Sequence, residues 1–216
     1  MTALPRLARR ALAALLLAAG SAAAAPPEPG DFDYYVLALS WSPSWCATEG
    51  DAGAEQCAPG RRADFLVHGL WPQHERGGWP QDCAGRAADP TRRETAAMAD
   101  VMGSGGLAWY QWQKHGRCTG LDARAYFATL RRAAAAVTVP PLFDGLFRDL
   151  RLPAATVEDA FLAVNPRLTR DGITVRCGDG LLREVRICLT RELEPRACAA
   201  DIRADCRAVM LMPAVR

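Results

Sequence analysis

Two apolar runs early in the chain break the alternation expected of a sheet with one wet face. Residues 32–41 read FDYYVLALSW, aromatic, β-branched and apolar at successive positions, which is the pattern of a strand covered on both sides. Residues 64–71 (DFLVHGLW) read as a second such strand. Residues 42–62, with Ser, Pro, Gly and two cysteines, and the Gly-, Pro- and Asp-rich residues 72–93 are expected as loops. The period then changes. Residues 94–102 and 107–114 suit helices, and 122–137 (DARAYFATLRRAAAAV) is the clearest helix, opened by Asp122, rich in alanine and stopped before Pro140. Thr156-x-x-Asp159 ahead of AFLAV is expected to be a capping box. Strands return at 173–177, 182–190 and 208–212. In the middle one Val185, Ile187 and Leu189 alternate with Glu184 and Arg186, so the acid and the base are expected on the wet face. Strands at both ends with helices between them predict an α+β fold with a mixed or antiparallel sheet.

The N-terminus carries a different pattern. Arg6, Arg9 and Arg10 precede an apolar run at 11–20 and small residues at Ala23–Ala25, the layout of a cleavable signal peptide over residues 1–25. The apolar run falls short of the roughly 20 residues a bilayer needs. An uncleaved helical anchor is the competing reading, and the arginine pair only weakly suggests twin-arginine export. Residues 26–216 are then expected to be one secreted or periplasmic domain, with no membrane contact after cleavage and as a monomer.

That cleavage alters the charge picture. The chain has 26 Lys and Arg against 24 Asp and Glu, a net +2. Without Arg6, Arg9 and Arg10 the balance is 23 against 24, about −1. An anionic partner must therefore be drawn by a local patch rather than by the global field. Half the residues are hydrophobic, which excludes general disorder.

All eight cysteines, Cys46, Cys57, Cys83, Cys118, Cys177, Cys188, Cys198 and Cys206, follow the leader. An even number in an exported chain implies four disulfides, whose connectivity spacing alone leaves open. A zinc site is disfavoured, since no C-x-x-C pair occurs and no two histidines sit at helical spacing. No cofactor and no metal are expected.

The chain has three histidines. His68 lies within an apolar strand beside Gly69. It is either a hydrogen-bonded core residue or a site residue where backbone approaches closely. His115 closes the run WYQWQKH. On a helix, Gln111 and His115 share a face with Cys118, and Lys114 lies beside Gln111, so an amide, a cation and an imidazole converge. A solvated helix end is the alternative. His74 is expected in an exposed loop. Two imidazoles serve as base and acid in one proton-transfer cycle. RNA would supply the nucleophile as its 2′-hydroxyl, and Lys114 would stabilise charge growing at phosphorus. DNA lacks that hydroxyl and would not react.

The segments His68-Gly69-Leu70-Trp71-Pro72 and Trp112-Gln113-Lys114-His115-Gly116-Arg117-Cys118, about 45 residues apart, together resemble the two active-site segments of the ribonuclease T2 family of secreted endoribonucleases. Residues 38–43 (ALSWSP) resemble the family's first core strand. The resemblance implies an α+β fold with a central antiparallel sheet, packed helices and disulfide bonds. It implies single-stranded RNA as substrate, low base specificity and a 2′,3′-cyclic phosphate intermediate. It casts His115 as general base, His68 as general acid, Lys114 as the phosphate-stabilising cation and Trp71 as the ring stacking on the base 5′ to the cut, unless Trp71 is plain core packing. It also implies the pairings Cys46–Cys57, Cys83–Cys118, Cys177–Cys206 and Cys188–Cys198. The chain departs from the family pattern at Gln111, where many members have glutamate, and at Tyr110, where many have histidine. Loss of that carboxylate is expected to move the optimum towards lower pH. Ser40 stands where a downstream base-binding glutamine is usual. A catalytically silent RNA-binding member of the same fold is the competing function. Strict alternation would put His68 and Trp71 on opposite faces, so the strand must bend near Gly69 for both to meet one nucleotide.

Overall fold

The first apolar run forms strand β1 (Tyr34–Trp41) and the second forms β2 (Phe65–Gln73). In this computed structural model residues 27–50, 53–84, 87–203 and 205–215 are described, so the leader at 1–25 lies outside them. Strand β2 runs two residues past its expected end, through Pro72. It is an edge strand paired only with β1, and an edge tolerates a residue with no N–H to donate.

The other strands are β3 (Leu150–Leu152), β4 (Ile173–Gly178), β5 (Leu181–Leu189) and β6 (Met210–Met212). The sheet order is β2-β1-β5-β6-β3, with β4 also on β5. Every pairing is antiparallel except β5 with β6. Strand β3 was not expected, because three residues carry no readable alternation.

The helices are α1 (Ser42–Thr48), α2 (Arg92–Ala96), α3 (Ala99–Met102), α4 (Gly105–Lys114), α5 (Ala123–Ala135) and α6 (Ala154–Val164). Helix α1 corrects the loop expected from residue 42. Pro43, read there as a breaker, sits in the first turn, where a missing N–H costs nothing. The helix expected at 94–102 is two short ones. Its true start is a capping box of Thr91 and Glu94, each side chain bonding the other's backbone N–H. The box expected at Thr156 and Asp159 is absent. Helix α6 starts after Pro153, with both residues already inside it and no side-chain cap. Asp122 caps α5 and Ser104 caps α4, through the backbone N–H groups of Ala125 and Leu107.

Apolar side chains fill both faces of the sheet. Tyr35, Leu37, Leu39 and Trp41 of β1 join the main core with Phe65, Val67 and Leu70 of β2, and Trp112, Tyr126, Leu130 and Phe161 from the helices cover it. Tyr34, Val36 and Ala38 point the other way, into a small cluster with Trp71, Cys188, Cys198, Ala199 and Ile202. The four disulfides are closed in the pairing the resemblance implied, Cys46–Cys57, Cys83–Cys118, Cys177–Cys206 and Cys188–Cys198. Among the described residues no helix is long and apolar enough to cross a membrane.

Candidate active site

The bend required near Gly69 is a β-bulge. Ala38 of β1 faces Gly69 while the next residue, Leu39, faces Val67, so His68 is the extra residue of β2. A bulge advances the side-chain alternation by one and re-aims its residue. Val67 and Leu70 therefore both enter the main core, while His68 and Trp71 share the opposite face with ring centroids 5.3 Å apart.

Gly69 makes this possible. A Cβ there would lie 2.3 Å from Trp71 Nε1 and 2.4 Å from Gln111 Oε1. These two atoms form a buried hydrogen bond of 2.8 Å, the indole N–H donating to the amide oxygen. Gln111 thus ties α4 to the edge strand through the bulge.

Helix α4 turns Ala108 and Trp112 into the main core and presents Gln111, Lys114 and His115 to the β2 edge. Its last turn is fixed from several sides. Cys118, fully buried in the 3₁₀ turn that follows, is bonded to Cys83. Asp89 accepts from Trp112 Nε1, Gln113 Nε2 and Arg117 Nη2, and the Arg117 hydrogen bond in particular holds its carboxyl below the usual range. The helix starts two residues earlier than expected and ends at Lys114 as expected, with His115 as its C-cap at φ −122°.

His68, Trp71, Gln73, Trp79, Tyr110, Gln111, Lys114, His115, Glu184, Arg186 and Ile202 line one cleft of about 260 Å³. The Trp71 ring sits between the two histidines, 5.5 Å from that of His115. His115 is 6% exposed and its Nδ1 makes no hydrogen bond. Burial, then the charges of Lys114 and His68, push its pKa down from 6.5 to about 3, with the nearby Pro80 carbonyl opposing weakly. It is therefore a neutral imidazole, able to accept a proton, even in acid. Lys114 Nζ donates to Tyr110 Oη at 3.1 Å at the cleft mouth.

All the residues expected at the site are thus gathered, but Trp71 is placed differently from a stacking platform. It is 9% exposed, belongs to the small core and has the Arg186 guanidinium 5.0 Å above its ring. Trp79, half exposed and donating to Gln81 Oε1, offers the open ring instead. In the sequence it is one tryptophan among Gly and Pro, with nothing to mark it. His74 does not line the cleft. It is half-buried in the turn after β2, where its backbone closes a turn with Gly77 and Gly78.

Glu184 and Arg186, expected on the wet face of β5, are largely enclosed. Glu184 is 8% exposed, not on a wet face. Its Oε1 lies 2.5 Å from His68 Nδ1, and its Oε2 accepts from Arg186 at 2.9 Å. Burial alone would push this carboxyl up, but the hydrogen bond and charge of His68, with the charge of Arg186, hold it below the usual range. Alternation showed only that Glu184 faces away from the main core. It carried no sign that the other face is also covered. On the far side of His68 a second hollow of about 250 Å³ opens, lined by Ser40, Leu66, Met102, Ser104, Leu107 and Arg183 among others.

A sheet carrying one imidazole on an edge bulge and a disulfide-anchored helix end carrying another define a particular class of protein. The sequence profile of the ribonuclease T2 family matches residues 32–198, and the chain belongs to that family. It is 43% identical over 95 residues to a ribonuclease of Aeromonas hydrophila, covering 44% of this chain and 41% of that protein. It is 35% identical over 147 residues to ribonuclease I of Escherichia coli, covering 48% of this chain and 53% of that protein. The chain thus spans about half the length of the curated relatives it matches. The solved structure of an RNase-related protein from Calystegia sepium shares the fold with a TM-score of 0.69, at 21% identity over 86% of this chain and 98% of that one.

Proposed function

We propose that this protein is a metal-independent endoribonuclease that cleaves single-stranded RNA by 2′-hydroxyl attack, through a 2′,3′-cyclic phosphate. The convergence of His68, Lys114 and His115 on one cleft carries this reading. His115, kept neutral by burial, takes the 2′-hydroxyl proton. Lys114 faces the phosphate as negative charge grows on it. His68, with Nδ1 engaged by Glu184, gives its Nε2 proton to the departing 5′-oxygen. In the second step the roles reverse and water opens the cyclic ester. The nucleophile comes from the RNA itself, so the scheme asks nothing of a metal and leaves DNA intact.

The strand crosses His68, with the 5′ base against the open ring of Trp79 beside Tyr110 and the 3′ nucleotide towards the Ser40 hollow. Stacking tolerates any base, which accounts for low base specificity. The four disulfides fit an oxidising compartment, the periplasm or beyond, and the protein is taken to act there as a monomer.

The test is cleavage of single-stranded RNA in excess chelator by wild type, His68→Ala and His115→Ala. The expected result is undiminished cleavage by wild type and a loss of roughly 10²–10⁴-fold in each variant. Loss of wild-type activity with chelator, or full activity in either variant, would overturn the scheme. RNA binding by folded wild type without any cleavage would instead identify the silent member of the fold.

A further inference from the structure

Glu184 is the one carboxylate among the described residues that line the cleft. It reaches the site from a distance. Ser40 of β1 pairs with Glu184 of β5, and Ala38 pairs with both Gly69 of β2 and Arg186 of β5. His68 therefore spans the width of β1 to meet Glu184 two strands away. On this face β1 offers only Ala38 and Ser40 beneath the imidazole, small enough to let it pass.

The contact is fixed at both ends. The bulge sets the direction of His68. The second oxygen of Glu184 is held by Arg186 through Nε at 2.9 Å and Nη2 at 2.8 Å, and Arg186 in turn lies over Trp71. A carboxylate on one ring nitrogen holds that nitrogen's proton and fixes the ring's tautomer and plane. The other nitrogen, Nε2, is then the one presented to substrate.

We infer that Glu184 is the positioning residue of the reaction, orienting His68 so that Nε2 delivers its proton to the leaving oxygen. It does not touch RNA and acts only through His68. Position 111 on α4 is an amide in this chain, so the charge supporting proton transfer enters from the sheet, on the acid's side of the cleft, rather than from α4. The inference rests on His68 being the general acid.

Leaving-group chemistry tests it. A 5′-alkoxide must be protonated as it departs, whereas p-nitrophenolate leaves without a proton. Wild type, His68→Ala, Glu184→Gln and the double variant are compared on a dinucleoside phosphate and on a nucleoside 3′-(p-nitrophenyl phosphate). Glu184→Gln is expected to lower kcat on the dinucleotide by roughly 10²-fold, with KM little changed, and to keep most activity on the nitrophenyl ester. Added to His68→Ala it should cost nothing further, since the two act as a unit. If His68→Ala loses both substrates equally, the acid assignment itself fails. If His68→Ala spares the nitrophenyl ester but Glu184→Gln does not, or if the two losses multiply, Glu184 is structural and the inference is wrong. Because Glu184→Gln leaves the half-buried Arg186 charge without its carboxylate, Glu184→Gln/Arg186→Met is measured alongside. It should show the same split between substrates, and equal loss on both would count against the inference.

Discussion

His115 combines two properties that a solvated helix end would not have. It is almost wholly buried, and its ring stays unprotonated down to about pH 3 because burial and the Lys114 charge oppose the imidazolium. A base that stays free in acid sets the acid limb of kcat/KM well below the ordinary histidine range. Gln111 contributes by absence, because a carboxylate there would favour the charged ring. Gln111→Glu is therefore expected to move the acid limb to higher pH, and an unmoved limb would show that position 111 does not couple to the base. The same ring affects folding with a definite sign. Its folded pKa lies below the unfolded 6.5, so stability is lost as pH falls from about 6.5 towards 3. At the cleft mouth, Trp79→Ala is expected to raise KM for RNA by roughly 5- to 150-fold, the equivalent of one stacked base at about 1–3 kcal/mol. A comparable rise from Tyr110→Ala with none from Trp79→Ala would move the stacking surface to the helix.

At the level of elements, the site depends on one inserted residue in β2. The histidine, the adjacent glycine and the need for a bend near it were all legible in the sequence, because strict alternation could not bring His68 and Trp71 to one face. The bulge itself was not, since register depends on which residues of β1 stand opposite. Gly69→Ala checks the geometry. The added methyl must displace the Trp71–Gln111 hydrogen bond, and overpacking of this kind costs about 1–3 kcal/mol. The expected result is a lower urea midpoint together with a fall in kcat. A variant of unchanged stability and activity would show that the close approach is not required. Helix α4 illustrates the reverse case. The convergence of Gln111, Lys114 and His115 followed from helical spacing, but the pins on its last turn, Asp89 and the Cys83–Cys118 bond, come from loop residues whose periodicity is silent.

For the whole molecule, the fold class and the strand positions other than β3 were legible because both sheet faces are apolar enough to read. The covering of the second face was not. It is made by the segment around Cys198, Ala199 and Ile202, folded back over Trp71, and that covering turns Glu184 from a surface acid into part of the site. A second buried acid works on stability alone. Glu158 of α6, under Arg170, is pushed from 4.5 up to about 7 by burial and by Asp205, against the pull of Arg170. A folded value above the unfolded one means stability that is full below about pH 4.5 and is lost as pH rises through 7. Glu158→Gln should flatten the pH dependence of the melting temperature across that window. An unchanged dependence would show that Glu158 keeps an ordinary carboxyl in the fold.

The most direct test of the two-histidine account is the product itself. Phosphorus NMR can follow one dinucleoside phosphate and its 2′-deoxy analogue with the purified oxidised protein. Two-histidine catalysis requires a 2′,3′-cyclic phosphate that forms first and then opens to the 3′-phosphate, with the deoxy compound untouched. A 5′-phosphate product, or cleavage of the deoxy analogue, would mean that water or another nucleophile attacks phosphorus first, and the roles given to His68 and His115 would be wrong.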